Sequence, residues 1–168
     1  MLPTFSLEGP GTDTIHVNLG GLSYIRAIMS SATQTETERA VLRANATFYR
    51  AFSEGDVEAM NAVWSTRSSV ACLHPGMPLL VGREAVLASW REILGGRPGI
   101  PIRCQAPTTQ VFGETAIVYC YEGPENEAAH LVATNVFVRE DGAWRIVHHH
   151  AGPLSIPVAF RGTSQLMN

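Results

Sequence analysis

The stretch Leu131 to His150, LVATNVFVREDGAWRIVHHH, constrains the fold more than any other part of the chain. Asp141-Gly142 is a strong two-residue turn signal between two runs rich in β-branched and aromatic residues, so a β-hairpin is expected. With that turn, Glu140 faces Ala143 and the register follows outward. Arg139 then pairs with Trp144, Phe137 with Ile146, Asn135 with His148, and Ala133 with His150, all on one face. Val138 with Arg145, Val136 with Val147, and Thr134 with His149 occupy the other. The three histidines are therefore expected to split, His148 and His150 pointing one way and His149 the other. They are internal, with eighteen residues after His150, and are not a purification tag.

The face bearing Phe137, Trp144 and Ile146 reads as the interior, and it also carries Asn135, His148 and His150. The opposite face is apolar too, through Val132, Val136, Val138 and Val147. A sheet apolar on both faces needs a cover on both. Helices can supply one cover and a second copy the other, so a homodimer through the sheet is expected.

The helices lie upstream. Thr35 and Glu38 have the capping-box spacing, and Val41, Ala44, Phe48 and Phe52 follow at helical intervals. Gly55 suits the end of that helix and Asp56 the N-cap of a short second one, Val57 to Trp64. A strand is expected from Ser68 to His74 and a shorter one from Leu79 to Val81. A third helix is expected from Arg83 to Leu94, stopped by Gly95-Gly96. Further strands are expected at Ile102 to Ala106, Gln110 to Phe112, Thr115 to Tyr121, Leu131 to Arg139, and Trp144 to His150. Helices first and long strands afterwards is an α+β order.

The 168 residues suit one domain with an appendage. Residues 1–34 mix Pro, Gly and Thr without a sustained period and read as an N-terminal extension, the patterned fold starting near Ser30. Residues 35–155 form the domain and 156–168 a C-terminal tail. A hydrophobic content of 45% supports a real core. The net charge of −3, with no basic run, argues against nucleic acid. No apolar stretch approaches the roughly 20 residues that span a bilayer. Cys72, Cys104 and Cys120 are odd in number and lack C-x-x-C spacing, so reduced thiols in a cytoplasm are expected.

The segments FYRAFSEGDVEAM, GREAVLASW and FVREDGAWRIVHHHAGP carry a resemblance to the nuclear-transport-factor-2-like superfamily, in its SnoaL-like branch. It covers roughly residues 35 to 153. The resemblance implies an α+β cone: a curved antiparallel sheet wrapped around about three N-terminal helices, enclosing a pocket and commonly dimerising through the sheet. Members include ketosteroid isomerase, scytalone dehydratase, limonene-epoxide hydrolase and polyketide cyclases, and also non-catalytic binding or assembly domains. Fold alone does not deliver function. The isomerase pattern of an Asp base facing a Tyr and a protonated acid finds no counterpart, since the predicted inner strand positions hold no Asp or Glu. The hydrolase's Asp-Arg-Asp arrangement is not recognisable either.

What the resemblance then implies is a small-molecule ligand in an apolar pocket, with proton transfer of the isomerase, cyclase or dehydratase type and no cofactor. An imidazole with an ordinary pKa of about 6.5 is a capable proton shuttle. His148 is the candidate acid/base, with Asn135 and His150 orienting; alternatively His148 and Asn135 only satisfy each other at a closed end of the cone. His74, Tyr49, Trp64, Trp90, Tyr119 and Phe137 are the candidate lining residues, and the aromatics among them serve equally well as core. No metal is expected, because no carboxylate partner accompanies His148 and His150. Arg83, at a helix start, has no account beyond solvent exposure. The rival reading is a dimeric binding or assembly module whose interior is plugged by side chains.

Overall fold

The computed structural model describes residues 5–7, 15–17, 34–95 and 101–160. The chain divides into two compact units, Met1–Ala32 and Thr33–Asn168. In the first, β1 (Phe5–Leu7) pairs antiparallel with β2 (Ile15–Val17). The rest of the expected extension, and residues 161–168 of the expected tail, lie outside the described residues.

The second unit opens with α1 (Glu36–Glu54). Its capping box forms in both directions: Thr35 N donates to Glu38 Oε2 at 2.6 Å, and Glu38 N donates to Thr35 Oγ1 at 3.1 Å. Gly55 ends it at φ 69°, a left-handed conformation that glycine adopts without steric cost. Asp56 then caps α2 (Val57–Val63), accepting from Ala59 N at 2.9 Å. The third helix, α3 (Arg83–Gly95), follows two short strands, β3 (Ala71–Leu73) and β4 (Leu80–Val81). Four long strands complete the unit: β5 (Ile102–Phe112), β6 (Thr115–Pro124), β7 (Ala129–Glu140) and β8 (Ala143–Val158).

The sheet order is β4-β3-β8-β7-β6-β5. The long strands are antiparallel, but β3 runs parallel to β8, so the sheet is mixed rather than wholly antiparallel. The two expected strands at 102–106 and 110–112 are one strand, β5, interrupted by an irregularity between Gln105 and Thr108, where Ala106 adopts φ 47°. The core fills the space between helices and sheet with Phe48, Met60, Trp64, Trp90, Phe137 and Ile146, all fully buried or nearly so. Phe48 meets Trp90 edge-on at 5.4 Å. Trp64, Trp90 and Phe137 are therefore packing residues here.

The hairpin turn forms at Asp141-Gly142, with φ 49° and 80°, and Glu140 faces Ala143. The expected register holds through Phe137–Ile146 and then changes. A bulge sets Val136 opposite His148, Asn135 opposite His149, and Thr134 opposite His150. The extra residue is Val147, and from His148 to Pro153 the side chains of β8 face the opposite way from the unbroken register. His149 is thus inward and 3% exposed, while His148 and His150 stand on the outer face. The expectation that His148 and His150 share the inner face with Asn135 is corrected by this bulge.

Candidate functional site

One inner row crosses four strands: Val118 on β6, Asn135 on β7, His149 on β8 and Cys72 on β3. Helix α1 lies over it and contributes Asn45 and Tyr49, one helical turn apart and both buried. Strand β6 alternates Ala116, Val118, Cys120 and Glu122 inward, and Glu122 is only 3% exposed. The sequence reading ended this strand at Tyr121 and so found no inward acid. One further step of the same alternation reaches Glu122.

These side chains form a continuous hydrogen-bonded chain. Asn135 Oδ1 accepts from His149 Nδ1 at 2.6 Å. That contact places the proton of a neutral imidazole on Nδ1 and leaves the lone pair on Nε2. Asn135 Nδ2 donates to Asn45 Oδ1 at 2.8 Å and to Tyr49 Oη at 3.3 Å. Tyr49 Oη donates to Glu122 Oε1 at 2.6 Å and lies 3.1 Å from Cys120 Sγ. Asn45 Nδ2 reaches Cys104 Sγ at 3.3 Å. Buried polar groups are costly unless partnered, and here each meets a neighbour of the right sense.

Burial governs the acid-base state of the cluster. It pushes His149 down to about 3, with His74, His148 and His150 adding in the same direction, so the ring is neutral. Burial raises Glu122 to about 6, and the Tyr49 hydrogen bond only partly offsets it. Burial, followed by the Glu122 charge, pushes the Tyr49 phenol well above its ordinary value. Cys72 rises to about 12 through burial, which makes it a poor nucleophile.

His74 forms a second buried group beside the first. Its Nε2 lies 2.6 Å from Ser89 Oγ on α3, and its ring packs edge-on against Trp90 at 4.7 Å. The His74 and His149 rings are 6.5 Å apart. Burial lowers the pKa of His74, so it too favours the neutral form.

Of the residues expected at the site, the fold gathers Asn135, Tyr49 and His74. It adds His149, Glu122 and Asn45, which the sequence reading missed. It places His148, His150 and Tyr119 on the outer face: Tyr119 pairs with Thr134, which pairs with His150. Among the described residues no group of three or more His, Cys, Asp or Glu is placed to hold a metal ion. Two cavities, of about 370 and 70 Å3, are lined by neither His149, Asn135, Tyr49 nor Glu122.

Comparison with known proteins gives consistent matches. The profile of the SnoaL-like domain matches residues 41–159. A solved structure from Streptomyces avermitilis, of the NTF2-like family and provisionally named a dehydratase, is 33% identical, with a TM-score of 0.64, covering 71% of this chain and 97% of that one. A second, from Thiobacillus denitrificans, is provisionally named a calcium/calmodulin-dependent protein kinase type II association domain. It is 35% identical, with a TM-score of 0.56, covering 67% of this chain and 93% of that one. The F-box protein SKIP8 of Arabidopsis thaliana is 26% identical over 120 residues, covering 71% of this chain and 52% of the relative. The chain therefore spans about half the length of that curated relative.

Proposed function

This chain belongs to the family of SnoaL-like domains, and from that premise we propose that it binds a small organic molecule inside the cone and moves a proton on it without a cofactor. The observation that carries this reading is the buried chain from His149 through Asn135 and Tyr49 to Glu122. A carboxyl with a pKa of about 6 is suited to take and return a proton near neutral pH. Glu122 is the proposed acid/base. Tyr49 and Asn135 hold that carboxyl in place: the phenol donates to Glu122 Oε1 and accepts from Asn135 Nδ2. His149, neutral and tied to Asn135 through Nδ1, fixes the orientation of that amide. Isomerisation, cyclisation and dehydration share the need for such an acid/base.

The test is native mass spectrometry of untagged protein, comparing intact and denatured masses. A small organic mass lost on denaturation supports the reading and begins to identify the ligand. Once an activity is known, Glu122→Gln is expected to remove most of it, and full activity in that variant overturns the assignment.

The rival reading, a module whose interior is plugged by side chains, has two observations, the first being that neither cavity is lined by the buried cluster. The outer face of the sheet presents Phe112, Tyr119 and Val132 at 60%, 39% and 41% exposure. Such a face suits burial against a second copy, which makes a homodimeric assembly module the alternative, and the Thiobacillus neighbour's name supports it. Sedimentation equilibrium on the wild type and Val132→Glu tests it: a dimer that the charge dissociates supports assembly through this face.

A further inference from the structure

The larger cavity, of about 370 Å3, lies outside the cluster described above. Its size falls in the range of small-molecule sites, roughly 300–1,000 Å3. It is bounded by Glu58 and Asn61 on α2, Arg83 at the head of α3, and Glu140, Asp141 and Arg145 at the β7–β8 hairpin.

Its walls are set by the C-terminal end of α2. Arg83 Nη1 donates to the carbonyls of Trp64 at 3.0 Å and Ser65 at 2.8 Å. Its Nη2 donates to the Asn61 carbonyl and to Asn61 Oδ1, each at 2.9 Å. Arg145 Nη1 donates to the Ala62 carbonyl at 2.7 Å. Two guanidinium groups thus hold neighbouring carbonyls of one helix end, where cations are favoured. Arg83 is accordingly a capping residue rather than a merely solvated one. Neither arginine joins an ion pair among the described residues.

The carboxylates of the cavity differ from one another. Glu140 is 9% exposed and accepts from Ser65 Oγ and from Thr66 N. Asp141 pairs with Arg67 at 2.7 Å. Glu58, exposed on α2, has no ion-pair partner among the described residues. A simple anion entering here meets Glu140 and Asp141, and a simple cation meets Arg83 and Arg145. A molecule carrying both charges meets a complement for each.

We propose that this cleft binds a small zwitterion of the α-amino-acid type, its carboxylate on Arg145 with the Arg83 charge beside it and its ammonium on Glu58. Arg145 makes one hydrogen bond among the described residues and so retains donors for a planar carboxylate. The site is independent of the proton-transfer cluster and does not rest on it.

Saturation-transfer NMR on the full chain, with each of the common L-amino acids in turn, tests this. Acetate and ethylammonium serve as single-charge controls. At least one amino acid is expected to bind saturably, and both controls to bind about tenfold more weakly or less, the size of one lost polar contact. Glu58→Gln and Arg145→Gln are each expected to weaken binding by about tenfold. If circular dichroism shows Arg145→Gln unfolded, Glu58→Gln decides alone. No saturable binding by any amino acid overturns the proposal, as does unchanged affinity in Glu58→Gln.

Discussion

His149 Nδ1 lies 2.6 Å from Asn135 Oδ1 on the inner face of the sheet, while the adjacent His148 stands opposite Val136 on the outer face. The bulge at Val147 sets this relationship. Without it, the turn at Asp141-Gly142 would bring His148 to Asn135 and leave His149 outside.

Deleting Val147 is therefore expected to be tolerated. Removing the extra residue makes the ladder regular and still leaves His149 opposite Asn135. A histidine ring with its pKa still held far below the ordinary value, read by NMR titration, would check this. A buried ring that titrates normally would show that the register had moved.

Asn135→Leu is expected to be strongly destabilising. It strands His149 Nδ1 and Asn45 Oδ1 in a buried setting, while Tyr49 Oη keeps Glu122. Each unmet group costs about 1–3 kcal/mol, so a total loss of roughly 2 kcal/mol or more is expected. Urea unfolding measures it, and a loss under about 1 kcal/mol would show that the network does little for stability.

Glu122 ties stability to pH in one direction. Burial raises its folded pKa from 4.5 to about 6, so between those values the folded chain holds a proton that the unfolded chain has released. Its contribution is fully present below about 4.5 and is lost as pH rises through about 6. Glu122→Gln keeps an acceptor for Tyr49 and removes the titration. It is expected to be more stable than the wild type near neutral pH by roughly 2 kcal/mol, and not so below pH about 4. Urea midpoints across that range test the sign.

His149 acts with the opposite pH dependence. Burial depresses its folded pKa from 6.5 to about 3, so the unfolded chain gains a proton first as pH falls. Stability from this group is present above about 6.5 and lost progressively toward about 3. His149→Asn places an amide donor where Nδ1 was and cannot titrate. It is expected to flatten the acid side of the stability profile, and an unchanged acid slope would assign that slope to other groups.

The amino-acid sequence by itself determined the elements that local chemistry specifies. The Thr35–Glu38 capping box, the Gly55 terminus, the Asp56 cap and the Asp141-Gly142 turn each need only residues close in the chain, and the apolar periods between them define helices and strands. Tertiary structure decided what depends on partners far away. The bulge at Val147 is a choice between two registers that local sequence leaves nearly equal, since Val147, His148 and His149 suit either face. Packing chose the register that gives His149, rather than His148, to Asn135 and α1. Glu122 became an interior group only because β6 continues beneath Tyr49, 73 residues away in the chain. Arg83 gained its role from the helix end it caps, 18 to 22 residues upstream. Such groups stay illegible in sequence because burial and hydrogen-bond partners, which give them their chemistry, exist only once the chain has folded.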